Sequence, residues 1–393
     1  RRCGRSWRKG WGTMPTDVLL NAYIDLNILL LAGTLLWFAA RKALARSPLG
    51  RAYRPQLRLL NGMTVLLAAS PVLILAFTHY VIAHPPNFSD MLVSQYLQGN
   101  VSMSAGTFEA TLGLREDAVR GLTSLQPLWA QALAAAFAAG ALLCLAHVAA
   151  SVFRLRQNLA GAFTWKRIGR VQLMVSDDIR VAYSTRGLLR RYVVLPSALL
   201  NDPRDLRLTI AHELQHFRQR DIECEFLLEM LRPLLFWNPA FYMWRREVRL
   251  LREFACDQAL MARPGFDVRA YCECLIRACA HAARGPGLFM RRSPAVALVD
   301  RRETRRGASL QRRIIAVTAV QPRGPNSLGW GLVSLAMAGV VLATAMLLQR
   351  PSDWSHDRIM LSTIVNLERM ASRNTGSELA VSALNGGFAV PAR

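Results

Sequence analysis

Lysine is almost missing from this chain: of 49 basic residues only Lys9, Lys42 and Lys166 are lysines. Chemistry that needs an amine has three places to be, and none of them follows Lys166. Cysteine is sparse, with seven in 393 residues, which excludes a disulfide-stapled secreted scaffold. Acid is scarce as well: 26 Asp and Glu leave a formal charge of +23. A basic tail of the disordered kind is excluded by the other side of the composition, since 52% of the residues are hydrophobic. A chain both basic and apolar points to a membrane protein with arginine-rich cytoplasmic parts. The arginine bias itself carries no functional weight.

Four stretches are long and apolar enough to cross a bilayer, at 18–40, 63–83, 127–153 and 328–348. The second contains no Asp, Glu, Lys or Arg. Charge orients them. Loop 41–62 carries six basic residues and no acid, whereas loop 84–126 carries two basic and four acidic residues. Segment 154–327 carries 31 basic and 16 acidic residues, and the tail 349–393 five and four. The expectation is therefore that 41–62 and 154–327 face the cytoplasm, with 84–126 and 349–393 outside. Residues 1–13 are basic on the outer side, before Met14, and are expected to be a non-native or misannotated extension of the membrane region 14–153. Asp25 inside the first span reads as either a pairing site or an interfacial carboxylate.

The soluble segment 154–327 holds the chemistry. Val171–Val175 and Arg191–Leu195 read as strands, rich in β-branched residues. Asn201-Asp202-Pro203 then signals a helix start. The helix that follows carries His212-Glu213-Leu214-Gln215-His216. Residues four apart share a helix face, so both imidazoles can reach one zinc ion, with Glu213 placed as general base. A third ligand must come from elsewhere. The helical run 245–262 offers Glu247, Glu253 and Asp257, and the last two share a face, which suits one ligand and one partner for a ligand imidazole.

The motifs HELQHFRQRD at 212–221, FWNPAFY at 236–242 and REFACD at 252–257 resemble the antirepressor membrane metallopeptidases of the BlaR/MecR type. The resemblance covers the span layout and the soluble segment, roughly 15–350. It implies a mostly α membrane protein with four transmembrane helices and a cytoplasmic α+β zincin-like domain. It implies one zinc ion on His212, His216 and Glu253, with Glu213 as base and Asp257 and Asp221 supporting the ligands. Cys256 is expected to be a packed thiol. By the same resemblance the protein performs regulated proteolysis of a cytoplasmic repressor or regulator. A membrane quality-control metalloprotease and a non-proteolytic receptor are the alternatives. The loop around Ser184 lacks the proline the family leads one to expect.

Further expectations attach to single features. The run Arg191, Tyr192, Val193, Val194 and Leu195 is expected to be an edge strand that aligns an extended substrate. Tyr271 and His281 are weak candidates for an oxyanion donor. Cys272, Cys274, Cys279 and His281 lie close in sequence, but on a helix 272 and 274 diverge, so no second metal site is expected. Eight arginines in 291–313 read as a solvated linker near anionic headgroups, or an exposed processing site. Direct nucleic-acid binding is not expected. With no lysine after Lys166, no SxxK acylation motif for β-lactams exists in the tail. Its residues 359–370 have the pattern of one amphipathic helix.

Overall fold

The computed structural model describes residues 16–80, 88–187, 190–283, 295–297, 308–318, 327–348, 359–368 and 370–371. Their contacts divide the chain into two compact units, one from 1–29, 67–134 and 339–393, the other from 30–66 and 135–338. The described chain is mostly helical, with one small sheet.

Among the described residues three helices are long and apolar enough to cross a membrane: α1 (Thr16–Leu44), α5 (Leu128–Ala160), and Leu328–Leu347 within the helix that closes the second unit. α5 leaves Leu142, Leu143 and Phe153 exposed, as a lipid-facing helix would. The second expected span falls on α2 (Tyr53–Tyr80), while residues 81–83 lie outside the described part.

In the first unit, loop 84–126 forms α3 (Phe88–Leu97) and α4 (Ala105–Ser124). Ser104 caps α4 by accepting a hydrogen bond from the Thr107 amide. The expected tail helix, Ile359–Glu368, packs Leu361 and Val365 against Val93, Ala105 and Phe108. Asp25 is resolved as a pairing site: Arg115 donates to its carboxylate at 2.7 Å and to Asn21 at 3.1 Å.

The second unit holds a five-stranded sheet in the order β1-β2-β4-β3-β5. Its strands are β1 (Phe163–Ile168), β2 (Val171–Ser176), β3 (Tyr183–Arg186), β4 (Arg191–Pro196) and β5 (Ala295–Ala297). β4 pairs parallel to β2 and antiparallel to β3. This overturns the edge-strand expectation for Arg191, Tyr192, Val193, Val194 and Leu195. Both hydrogen-bonding edges of that strand are taken, so it has none to offer a substrate. The apolar run is the signature of a central strand, with Val193, Val194 and Leu195 fully buried.

Four helices follow: α6 (Pro203–Gln219), α7 (Asp221–Leu235), α8 (Pro239–Met261) and α9 (Val268–Ala283). Leu173, Val193 and Leu195 of the sheet meet Phe217 and Ile222 to form the core beneath α6. Asp202 caps α6 through the amides of Arg204 and Asp205, with Pro203 in the first turn. The FWNPAFY motif works the same way: Asn238 caps α8 through the Ala240 amide and Pro239 opens the helix. Phe236 and Trp237 meet Phe137 of α5 edge-on, and a Cβ at Gly140 would collide with the Phe236 ring. The second unit is completed by α10 (Ala308–Thr318) and by α11 (Ser327–Leu347), which runs on into the first.

Candidate metal centre

The site forms where α6, α8, α9 and α10 meet. His212 and His216 stand one helical turn apart on the buried face of α6, both fully buried. Their Nε2 atoms face one another at 3.1 Å. Glu253 of α8 brings its carboxylate to 3.5 Å from His212 Nε2 and 3.9 Å from His216 Nε2. These three offer ligand atoms all within 4.8 Å of one another.

The far side of each ring is tied down. Arg220, between α6 and α7, adopts a left-handed conformation with φ of 60°. That sharp turn folds Asp221 back under the preceding helix, where its Oδ2 lies 2.8 Å from His216 Nδ1. His212 Nδ1 lies 2.8 Å from the Tyr271 hydroxyl, which donates to Asp257 Oδ1 at 2.6 Å. The phenol has one proton and gives it to the carboxylate, so its oxygen accepts from His212 Nδ1–H. The Asp221 carboxylate likewise accepts from His216 Nδ1–H. Both Nε2 atoms are therefore bare lone pairs, pointed at each other beside a carboxylate. Burial first, against the nearby acids, lowers the His216 pKa and takes that of His212 to about 4, so both rings are neutral near pH 7. Facing lone pairs repel, and a divalent cation between them relieves that repulsion. The donor set of two imidazoles and one carboxylate fits zinc.

Glu213 is fully buried, and burial pushes its carboxyl well above the usual carboxylate range. The Ser184 hydroxyl on β3 opposes that shift, and the Glu253 charge adds to it. Beyond Ser184, neither Glu213 oxygen has a hydrogen-bond partner among the described residues. A buried carboxyl left so open is a group waiting for a reactant.

A second cluster, His216, Asp221 and Cys256, is fully buried. It would engage His216 through Nδ1, the atom already committed to Asp221. Burial also raises the Cys256 thiol well above its usual pKa and keeps the proton on sulfur. Cys256 is thus packed, with its S–H 3.6 Å from Asp221 Oδ2.

Several expectations are sorted by this geometry. Glu247 pairs with Arg41 and takes no part in the site. Tyr271 is no free oxyanion donor, because its hydroxyl is engaged on both sides; it joins His212 to Asp257. His281 is exposed near the end of α9. Cys272, Cys274 and Cys279 sit on that helix, and no metal cluster forms among them in the described residues.

The residue that sequence reasoning missed is Arg313. It was grouped with a solvated arginine linker spanning 291–313, yet it lies on α10 with no exposed surface. Its Nε and Nη2 each donate to Asp257 at 2.9 Å, and Nη1 lies 3.1 Å from Glu253 Oε2. Ile314 and Val317, half-buried and buried on the same short helix, were the available signal of a docked face. Of the rest of that linker, residues 291–294 and 298–307 lie outside the described part.

Comparison with known proteins places this centre in context. The family described as BlaR1 peptidase M56 matches residues 23–297. The regulatory protein BlaR1 of Bacillus licheniformis is 26% identical over 78 residues, 20% of this chain. That stretch spans only 13% of the relative's length.

Proposed function

The chain belongs to the BlaR1 peptidase M56 family, and from that premise we propose that it is an integral-membrane zinc endopeptidase acting in signal transduction. The observation that carries the reading is the pair of bare Nε2 atoms 3.1 Å apart with the Glu253 carboxylate beside them. His212, His216 and Glu253 would hold one zinc ion. When bound, zinc supplies Lewis acidity, polarising a peptide carbonyl and making water easier to deprotonate.

The chain's own residues divide the remaining work. Glu213 takes a proton from the attacking water at a carboxylate oxygen and returns it to the departing amide nitrogen. Its raised proton affinity suits both halves of that transfer. Asp221 holds the proton on His216 Nδ1, and Tyr271 with Asp257 does so for His212, which fixes ring planes and tautomers. Arg313 neutralises Asp257 and steadies Glu253 in its ligand position. Asp257 accordingly has its pKa lowered despite burial.

Four membrane helices, α1, α2, α5 and α11, with the catalytic part in the bacterial cytoplasm, complete the reading. It is supported by the run of basic loops, by the length and apolarity of α1, α5 and α11, and for α2 by its apolar sequence from Met63. The substrate is a cytoplasmic repressor or regulator, cleaved in response to an envelope signal. The test compares cytoplasmic proteomes of cells carrying wild type or Glu213→Ala, with metal content measured on both purified proteins. A repressor fragment seen only with wild type, at equal zinc content, supports the reading. Identical proteomes under several envelope stresses overturn it.

A further inference from the structure

A cavity of about 560 Å³ lies between α2, α6 and the C-terminal end of α8, on a face that bears none of the proposed zinc ligands. Its charged lining is five arginines: Arg54 and Arg58 from α2, Arg218 and Arg220 around the end of α6, and Arg263 just beyond α8. No acidic residue lines it. Elsewhere in this unit arginines converge on carboxylates: Arg245, Arg249 and Arg252 on Glu225, Arg277 on Asp205, and Arg313 on Asp257. Among the described residues none of the five cavity arginines has such a partner, and Arg263 reaches only the Gln215 amide oxygen at 3.3 Å. Burial and the facing Arg218 charge lower the Arg263 pKa, a mark of like charges held together.

Placement adds the second argument. Arg54 and Arg58 precede the apolar run that starts at Met63, five positions along the helix from Arg58, a rise of about 7.5 Å. If α2 crosses the bilayer, that is the depth of lipid headgroups. The floor of the cavity is partly apolar, from Leu57 and Ala259, as suits a ligand whose charged end continues into acyl chain. Basic pockets beside the cytoplasmic ends of membrane helices are suited to phosphate headgroups.

We propose that this cavity binds the phosphate headgroup of an anionic phospholipid, which bridges α2 to the helices that carry His216 and Glu253. Arg218 and Gln219 lie two and three residues after His216, and Gln219 donates to the Ala255 carbonyl at 3.1 Å. An anion shared by the arginines of α2, of the end of α6 and of the turn after α8 ties those helices together next to the metal centre. The binding stands on the arginine cluster alone; its effect on the centre rests on the zinc reading.

The experiment uses the full chain in bilayer discs of phosphatidylcholine, alone or with phosphatidylglycerol. Lipid retained by the protein is counted by native mass spectrometry. It is done on wild type, Arg218→Gln/Arg263→Gln, Arg54→Gln/Arg58→Gln and Glu213→Ala. Wild type and Glu213→Ala are expected to retain phosphatidylglycerol equally. Each double variant is expected to bind it about thirtyfold more weakly, at about 1 kcal/mol per arginine near the surface. Two variants on opposite walls guard against one that fails to fold. Retention by metal-free wild type separates a failure here from a failure of the zinc reading. Equal retention in wild type and both variants overturns the proposal. Inorganic phosphate or a short acidic peptide displacing phosphatidylglycerol from the protein in the mixed discs overturns it too, assigning the cavity to a soluble anion or to a protein segment.

Discussion

Replacing Arg313 with methionine removes a guanidinium that serves both Glu253 and Asp257. The side chain is wholly buried, with two contacts of 2.9 Å to Asp257 and one of 3.1 Å to Glu253. Methionine fills similar space, so packing is largely kept while the buried Asp257 and the half-buried Glu253 carboxylates lose their counter-charge. Breaking a buried pair from one side costs about 3–5 kcal/mol. For a chain of 393 residues, with an unfolding entropy of about 2.1 cal/mol/K per residue, that lowers the unfolding midpoint by about 4–6 °C. The effect is to be read by thermal unfolding of the metal-free protein in detergent. Arg313→Met/Asp257→Asn is expected to recover part of the loss, because the stranded carboxylate is then neutral. Added zinc is expected to shrink the deficit further by taking over the charge of Glu253. Arg313→Lys keeps one charge but loses the fork on Asp257, and should fall between. Identical midpoints for wild type and Arg313→Met would refute the reasoning, since α10 would then contribute no charge to the site. A double variant no better than the single would also refute it, by showing that lost packing rather than stranded charge is the cause.

Three more outcomes follow from the same geometry. Asp221→Asn frees His216 Nδ1 from a charged acceptor and should weaken zinc binding about 10–100-fold in a chelator competition. Tyr271→Phe keeps the ring but cuts the link between His212 and Asp257. It should weaken zinc binding about tenfold, with the fold intact by circular dichroism. Burial alone would raise the Glu225 carboxyl, but Arg249, Arg252 and Arg245 around it hold its pKa well below the ordinary 4.5. Its folded pKa is below its unfolded one, so its stabilisation is complete above about pH 4.5 and is lost as pH falls through the folded value. Glu225→Gln should therefore flatten the acid limb of the stability–pH curve, and a limb of unchanged steepness would dismiss the arginine cluster as its source.

Local features of the site were legible early because they depend on local periodicity. A turn of helix puts His212 and His216 on one face whatever surrounds it, and capping residues such as Asp202 and Asn238 announce their helices in order. The pairing of Glu253 and Asp257 on one face of α8 is likewise a matter of spacing. The strand Arg191–Pro196 shows the limit of such reading. Its apolar run gave the element correctly, but whether a strand is central or at an edge depends on β2 and β3, which reach it from both sides. Tyr271 stood in view only as an oxyanion candidate, since a hydroxyl's partners are not written in its own helix.

The sequence by itself thus determined the histidine pair with the Glu213 carboxyl beside it, the helices that carry them, and the apolar stretches with their charge asymmetry. All of these follow from residue type and spacing within a few turns of chain. Only the tertiary structure decided which lone pairs face each other, why Asp221 supports His216 through the left-handed turn at Arg220, and that Arg313 is a buried partner rather than one of a run of solvated arginines. An arginine's charge is the same in a linker and in a core. What fixes its role is the pair of carboxylates on α8, 56 and 60 positions away in sequence, that the fold brings within 3.1 Å.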